Sequence, residues 1–131
     1  MKLLYLFLLI LPLPFVFANA VDPIDKTAGL IQQGDIHALS KDFSPTVELT
    51  IMGEGDVYSS AEAETKLNDF FTQHPPKSVK ILHRICSNPN FRFGVLILTT
   101  NNGVYRTSFS LKSTNGRFEL NELRIESQKT K

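Results

Sequence analysis

The chain has 131 residues, with 14 basic and 13 acidic side chains and a formal net charge of +1. That length suits one domain, and the charge balance leaves no basic surplus to hold phosphates, which argues against nucleic acid as a partner. Cys86 is the single cysteine, so no internal disulfide can form and stability must come from an apolar core.

Met1-Lys2, the apolar run Leu3 to Phe17 and the triplet Ala18-Asn19-Ala20 have the order of a secretory signal peptide with an A-x-A cleavage site. A membrane anchor is the poorer reading, because Pro12 and Pro14 interrupt the run and it falls short of the roughly 20 residues that a spanning helix needs. Cleavage after Ala20 removes Lys2 and leaves 13 basic and 13 acidic side chains. The expectation is therefore residues 1–20 as a leader, a protein exported to the periplasm or exterior of a bacterium, and no membrane contact after cleavage. Val21, not a cysteine, stands at the cleavage point, so a lipid anchor is not expected.

Asp22-Pro23 starts a helix, with Asp as N-cap and Pro in the first turn, and Gly34 closes it after Ile24, Ala28 and Ile31. Asp35 caps a second short helix through Ser40, which Phe43 and Pro45 end. Val47 to Ile51 alternates as a strand with one buried face. Gly53-Glu54-Gly55-Asp56 reads as a loop before a short extended Val57-Tyr58. Ser59-x-x-Glu62 is a capping box, and its helix runs to about His74 with Ala63, Leu67, Phe70 and Phe71 on one face. Pro75-Pro76 stops it.

From Ser78 to Glu126 the pattern is a four-stranded antiparallel meander. In the first strand Val79, Ile81, His83 and Ile85 share a face. In the second, Phe93, Val95 and Ile97 are in phase, and in the third Tyr105, Thr107, Phe109 and Leu111. Pairing those two sets on one face requires a three-residue loop with Gly103 at positive φ. Asn115-Gly116 suits a two-residue type I′ turn that sets Leu111 opposite Leu120 and Ser113 opposite Phe118. The apolar phase then slips between Leu120 and Leu123, which predicts a β-bulge near Asn121-Glu122.

This element order resembles the nuclear transport factor two-like superfamily, which includes ketosteroid isomerases, scytalone dehydratase and polyketide cyclases. The resemblance is carried by Gly34-Asp35-Ile36-His37-Ala38-Leu39, by Phe43-Ser44-Pro45-Thr46-Val47-Glu48-Leu49 and by Asn121-Glu122-Leu123-Arg124-Ile125-Glu126. Together with the leader, these runs are similar to an uncharacterised family of exported bacterial proteins with a cystatin-like fold. The implied fold is α+β: a cone-shaped, strongly bent antiparallel sheet of about five to six strands, covered by two to three N-terminal helices. It would occupy residues 21–127, with 128–131 a frayed tail.

The candidate site residues follow from that cone. Catalytic members of the superfamily use a buried carboxylate or His facing a hydrogen-bond donor. Leu49 stands where ketosteroid isomerases carry their Asp, and Glu48 points the other way. His83, in phase with apolar neighbours, is expected to face the cone as a core or rim histidine or as a base. Glu122, at the bulge, is either a base or a surface partner of Arg124 or Arg106. Tyr105 and Thr107 from the meander and Phe71 from the long helix would line the cone. His37 and His74, near helix ends, read as surface residues. The three His and Cys86 have no metal-ligand spacing, and no cofactor is implied.

Two functions compete. One is a non-enzymatic module that binds a small apolar ligand in its cone or forms a homodimer through its sheet. The other is an isomerase, dehydratase or hydrolase with His83 or Glu122 as base. A solidly packed cone would leave protein–protein interaction. Protease inhibition of the cystatin kind lacks its Q-x-V-x-G loop here.

Overall fold

The structure, a computed structural model, describes residues 21–128. The leader expected at 1–20 and the last three residues lie outside the described residues. Three helices, α1 (Pro23–Gln33), α2 (Ile36–Ser40) and α3 (Ser60–Gln73), cover one face of a six-stranded sheet. The strands are β1 (Phe43–Ile51), β2 (Glu54–Ser59), β3 (Pro76–Asn88), β4 (Phe91–Thr100), β5 (Gly103–Thr114) and β6 (Arg117–Ser127). They run in the order β2-β1-β6-β5-β4-β3. All neighbours are antiparallel except β1 and β6, which are parallel.

The helix ends follow the sequence chemistry. The Asp22 carboxylate accepts from the Ile24 N–H at 2.8 Å, and Gly34 closes α1 at φ 68°, a conformation open to glycine at no steric cost. Asp35 accepts from the Ala38 N–H at 3.1 Å, and Ser59 from the Glu62 N–H at 3.2 Å. Ile24, Ala28 and Ile31 of α1, Ile36 and Leu39 of α2, and Ala63, Leu67, Phe70 and Phe71 of α3 are all buried in one core with the sheet. α1 lies on β3 and β4, and α3 on β1 and β2.

The meander and its last hairpin form as expected. Asn115 (φ 53°) and Gly116 (φ 79°) make the two-residue turn, with Leu111 opposite Leu120 and Ser113 opposite Phe118. The bulge falls at Asn121, which the ladder skips between Leu111↔Leu120 and Ser110↔Glu122. The Ser110 hydroxyl donates to Asn121 Oδ1 at 2.6 Å and fixes it there.

Four expectations need correction. β4 has the opposite phase: Leu96 and Leu98 enter the core, whereas Phe93 lies opposite Ser110 and Ile97 opposite Arg106 on the outer face. The loop is the two-residue Asn101-Asn102, closed by the pair Thr100↔Gly103, although Gly103 does take positive φ at 141°. β4 is apolar on both faces, so alternation could not choose between them. What favours the observed phase is Gly94, where an added Cβ would meet Phe109 Cζ at 2.6 Å. The ring of the fully buried Phe109 lies on that bare backbone.

The second correction concerns β3. Its register shifts between Ile81 and His83, so Val79 and Ile81 pack toward the core while His83 and Ile85 turn outward. Third, Phe43 and Pro45 begin β1 rather than merely ending α2. Phe43 is buried opposite Leu120, and Pro45 falls within a register shift before Glu48, where its missing N–H costs no ladder bond. Fourth, Glu54–Asp56 is strand, because Met52 (φ 53°) and Gly53 (φ 83°) close a tight β1–β2 hairpin. Gln128, placed in the tail by the sequence reading, is tied to β5: its N–H donates to the Val104 carbonyl at 2.9 Å.

Candidate functional site

The sheet separates the residues that the sequence singled out. Phe71, Tyr105 and Thr107 are buried on the helix-covered face. Thr107 is fully buried opposite Leu96 and Ile125, and its hydroxyl has no hydrogen-bond partner. His83 is exposed on the other face, opposite Val95. Glu122 is half-buried on that outer face, beside Ser110 and Glu48. Arg124 pairs instead with Glu126 at 3.3 Å. Neither proposed base therefore shares a chamber with the proposed lining residues, and an acid–base pair across the cone is not assembled from them.

The helix-covered face is filled. Leu96, Leu98, Phe109, Leu120, Leu123 and Ile125 have at most 1% of their surface exposed, so their side chains occupy the volume a cone-bound ligand would need. Among the described residues, clefts open at the surface. One is bounded by Lys26, Asp42, Arg117 and Phe118, and a second by Asn88, Phe91, Lys112 and Asn121.

His74, read from sequence as a surface residue, is half-buried at the end of α3. Its ring stacks on Phe70 with centroids 4.5 Å apart, and Nδ1 lies 2.7 Å from Asn102 Oδ1 and 3.1 Å from the Tyr105 hydroxyl. Asn102 Nδ2 donates to the Gln73 carbonyl at 3.0 Å. That orients Oδ1 as the acceptor and assigns the proton to His74 Nδ1. The cluster ties the α3 terminus to the β4–β5 turn. Only proximity in space reveals it, since Asn102 is 28 residues away in the chain. His37, by contrast, is exposed as expected and pairs with Glu64 at 2.8 Å.

One ion pair joins the covering layer to the sheet. Arg84 Nη2 lies 2.5 Å from Asp25 Oδ1. The hydrogen bond from the guanidinium holds the Asp25 carboxyl below its ordinary value and raises Arg84 in turn. Among the described residues no group of three His, Cys, Asp or Glu could hold a metal ion, and no helix is long and apolar enough to cross a membrane.

The outer face, free of helices, is the other candidate site. Phe93, Val95, Ile97 and, across the β3–β4 ladder, Ile85 form an apolar stripe outside the core cluster. Ile85 is 46% exposed, Phe93 and Ile97 are half-buried, and Val95 is buried. Beside the stripe the face carries Arg106 and Arg124 together with Glu48, Glu122 and Glu126.

Comparison with known proteins supports the architecture. A protein from Bacteroides uniformis described as a DUF4783 family member superposes with a TM-score of 0.78 at 21% identity, covering 83% of this chain and all (100%) of that one. A de novo designed protein with a curved β-sheet gives a TM-score of 0.63 at 18% identity over 79% of this chain and 97% of that one. A domain of unknown function with a cystatin-like fold from Nostoc punctiforme gives a TM-score of 0.63 at 10% identity, covering 81% and 73%. At these identities the likeness establishes the fold, a nuclear transport factor two-like and cystatin-like α+β cone. No curated protein matches the chain. The family model described as domain of unknown function DUF4783 matches residues 24–126, and the chain belongs to that family.

Proposed function

We propose that this protein is an exported, non-enzymatic interaction module that pairs with a second copy of itself through the outer face of its sheet. The observation that carries this reading is the apolar stripe of Ile85, Phe93, Val95 and Ile97, which lies on the face that no helix covers. A sheet of six strands, spaced about 4.8 Å apart and about ten residues long, offers roughly 800 Å2, which is one partner's share of a standard interface. The charges favour a like partner. Arg106 and Arg124 lie on the same face as Glu48 and Glu122, so a twofold copy can set each sign against the other. The filled interior supports the same reading, because binding then has to use the surface. Export is supported by the leader-like run of residues 1–20.

The test is the mass in solution, by light scattering after size exclusion, of the protein and of its Ile97→Glu variant. The protein should run as a dimer, and the variant as a monomer with an unchanged far-UV spectrum. A wild-type monomer at about 100 μM, a concentration that would populate any dimer with a micromolar Kd, would overturn the proposal.

A further inference from the structure

A second surface feature lies on the helix-covered side, at the rim of the cone where the β5–β6 hairpin turns. A cleft of about 280 Å3 opens there between the start of α1 and β6. Leu111 and Phe118 line it together with Pro23, and Lys26, Asp42 and Arg117 stand at its edge. Leu111 is buried beneath the cleft, and the half-buried Pro23 and Phe118 offer its apolar surface.

The charges at the edge do not balance. Asp42 serves two cations: its Oδ2 lies 3.0 Å from Lys26 Nζ and its Oδ1 3.4 Å from Arg117 Nη2. Arg117 also donates to the Lys41 carbonyl. A third cation, Arg92, holds its guanidinium 5.0 Å from the centre of the Phe118 ring. The nearby Asp22 carboxylate is turned to its own helix, accepting from the Ile24 N–H, and Asp25 is taken by Arg84. One shared carboxylate thus faces two cations over an apolar floor, and the longer, 3.4 Å contact leaves the Arg117 guanidinium without a close bidentate partner.

We infer that this cleft binds a small amphiphilic carboxylate. Its head takes the bidentate position on Arg117 with support from Lys26, and its aliphatic body lies on Pro23 and Phe118. Arg is the residue suited to the planar two-point contact. At about 30 Å3 per water the cleft has room for about nine waters, or for a chain of about ten heavy atoms. That makes the ligand smaller than those of drug-sized pockets, which run from about 300 Å3 upward. The cleft lies on the face opposite the Phe93–Ile97 stripe, so this inference stands apart from self-pairing.

The probe is sodium octanoate, titrated into the 15N-labelled protein, with octanol and octyltrimethylammonium as controls. Octanoate should shift the amides of Lys26, Thr27, Arg117 and Phe118 saturably, and the controls should not. Arg117→Gln and Lys26→Gln should each weaken binding about tenfold, the scale of one charge-assisted contact. Asp42→Asn, which removes the competing carboxylate, should tighten it, and this gain cannot arise from misfolding. Equal shifts with octanol or with the cationic detergent would overturn the inference. So would the absence of saturable shifts up to about 10 mM, or binding that the substitutions leave unchanged.

Discussion

The Thr107 hydroxyl is the sharpest single-residue test of how the cone is used. It is fully buried and its oxygen has no partner, and a buried hydroxyl left unpaired costs roughly 1–3 kcal/mol. If the interior is packed and dry, Thr107→Val replaces that hydroxyl with a methyl of similar shape and should stabilise the protein by about 1 kcal/mol. The readout is a higher urea midpoint at unchanged slope. If the hydroxyl instead holds a ligand or an ordered water inside the cone, the same change should lower the midpoint. From sequence, Thr107 was legible as inward-facing because Tyr105, Phe109 and Leu111 fix the phase of β5. That its oxygen has no partner was not legible, since neighbouring layers decide it. His74 shows the same limit, because its partners Asn102 and Tyr105 arrive through the fold of a distant hairpin.

At the scale of elements, caps and turns were readable because each is decided within a few residues. Asp22, Gly34, Asp35, Ser59 and Asn115-Gly116 all act locally. Strand phase was readable only where one face is polar. β5 has that contrast and β4 does not, so the orientation of Phe93, Val95 and Ile97 was decided by the two-residue turn and by the place that Gly94 leaves for Phe109. The parallel pairing of β1 with β6 joins segments about 70 residues apart through no local signal. His83 was misplaced by the register shift after Ile81, an irregularity that alternation cannot anticipate.

The attachment of α1 to β3 through Asp25 and Arg84 predicts a pH dependence. The guanidinium holds the folded Asp25 carboxyl below 3.8, its ordinary value. A lowered carboxyl binds its proton more weakly in the folded state than in the unfolded one. The stabilisation is therefore complete above the ordinary value and is lost as pH falls through the lowered one. Both side chains are 44% exposed, so the effect is small, as for surface pairs generally. Asp25→Asn should leave the acid limb of thermal stability flatter as pH falls through and below the ordinary carboxylate range, and should change little once the carboxyl is protonated in both states. A variant whose acid limb parallels that of the parent would show that the pair does not contribute.

At the scale of the whole molecule, the two faces of the sheet have separate tasks. One is spent on the core shared with α1, α2 and α3, and the other keeps an apolar stripe of which a monomer leaves Ile85 exposed and Phe93 and Ile97 half-buried. If the outer face pairs with a second copy, folding and association are linked, and melting must depend on protein concentration. For two chains unfolding together, each counted over its described residues 21–128, the entropy at the midpoint is roughly 0.5 kcal/mol/K. Each tenfold rise in concentration adds about 1.4 kcal/mol per dimer and should lift Tm by about 2–3 °C. Calorimetry across a hundredfold range should then show a rise of about 5 °C for the protein and none for Ile97→Glu. A Tm independent of concentration in both would mean that the stripe is not spent on self-pairing. A rise that persists in the variant would place the interface elsewhere than on the Phe93–Ile97 face.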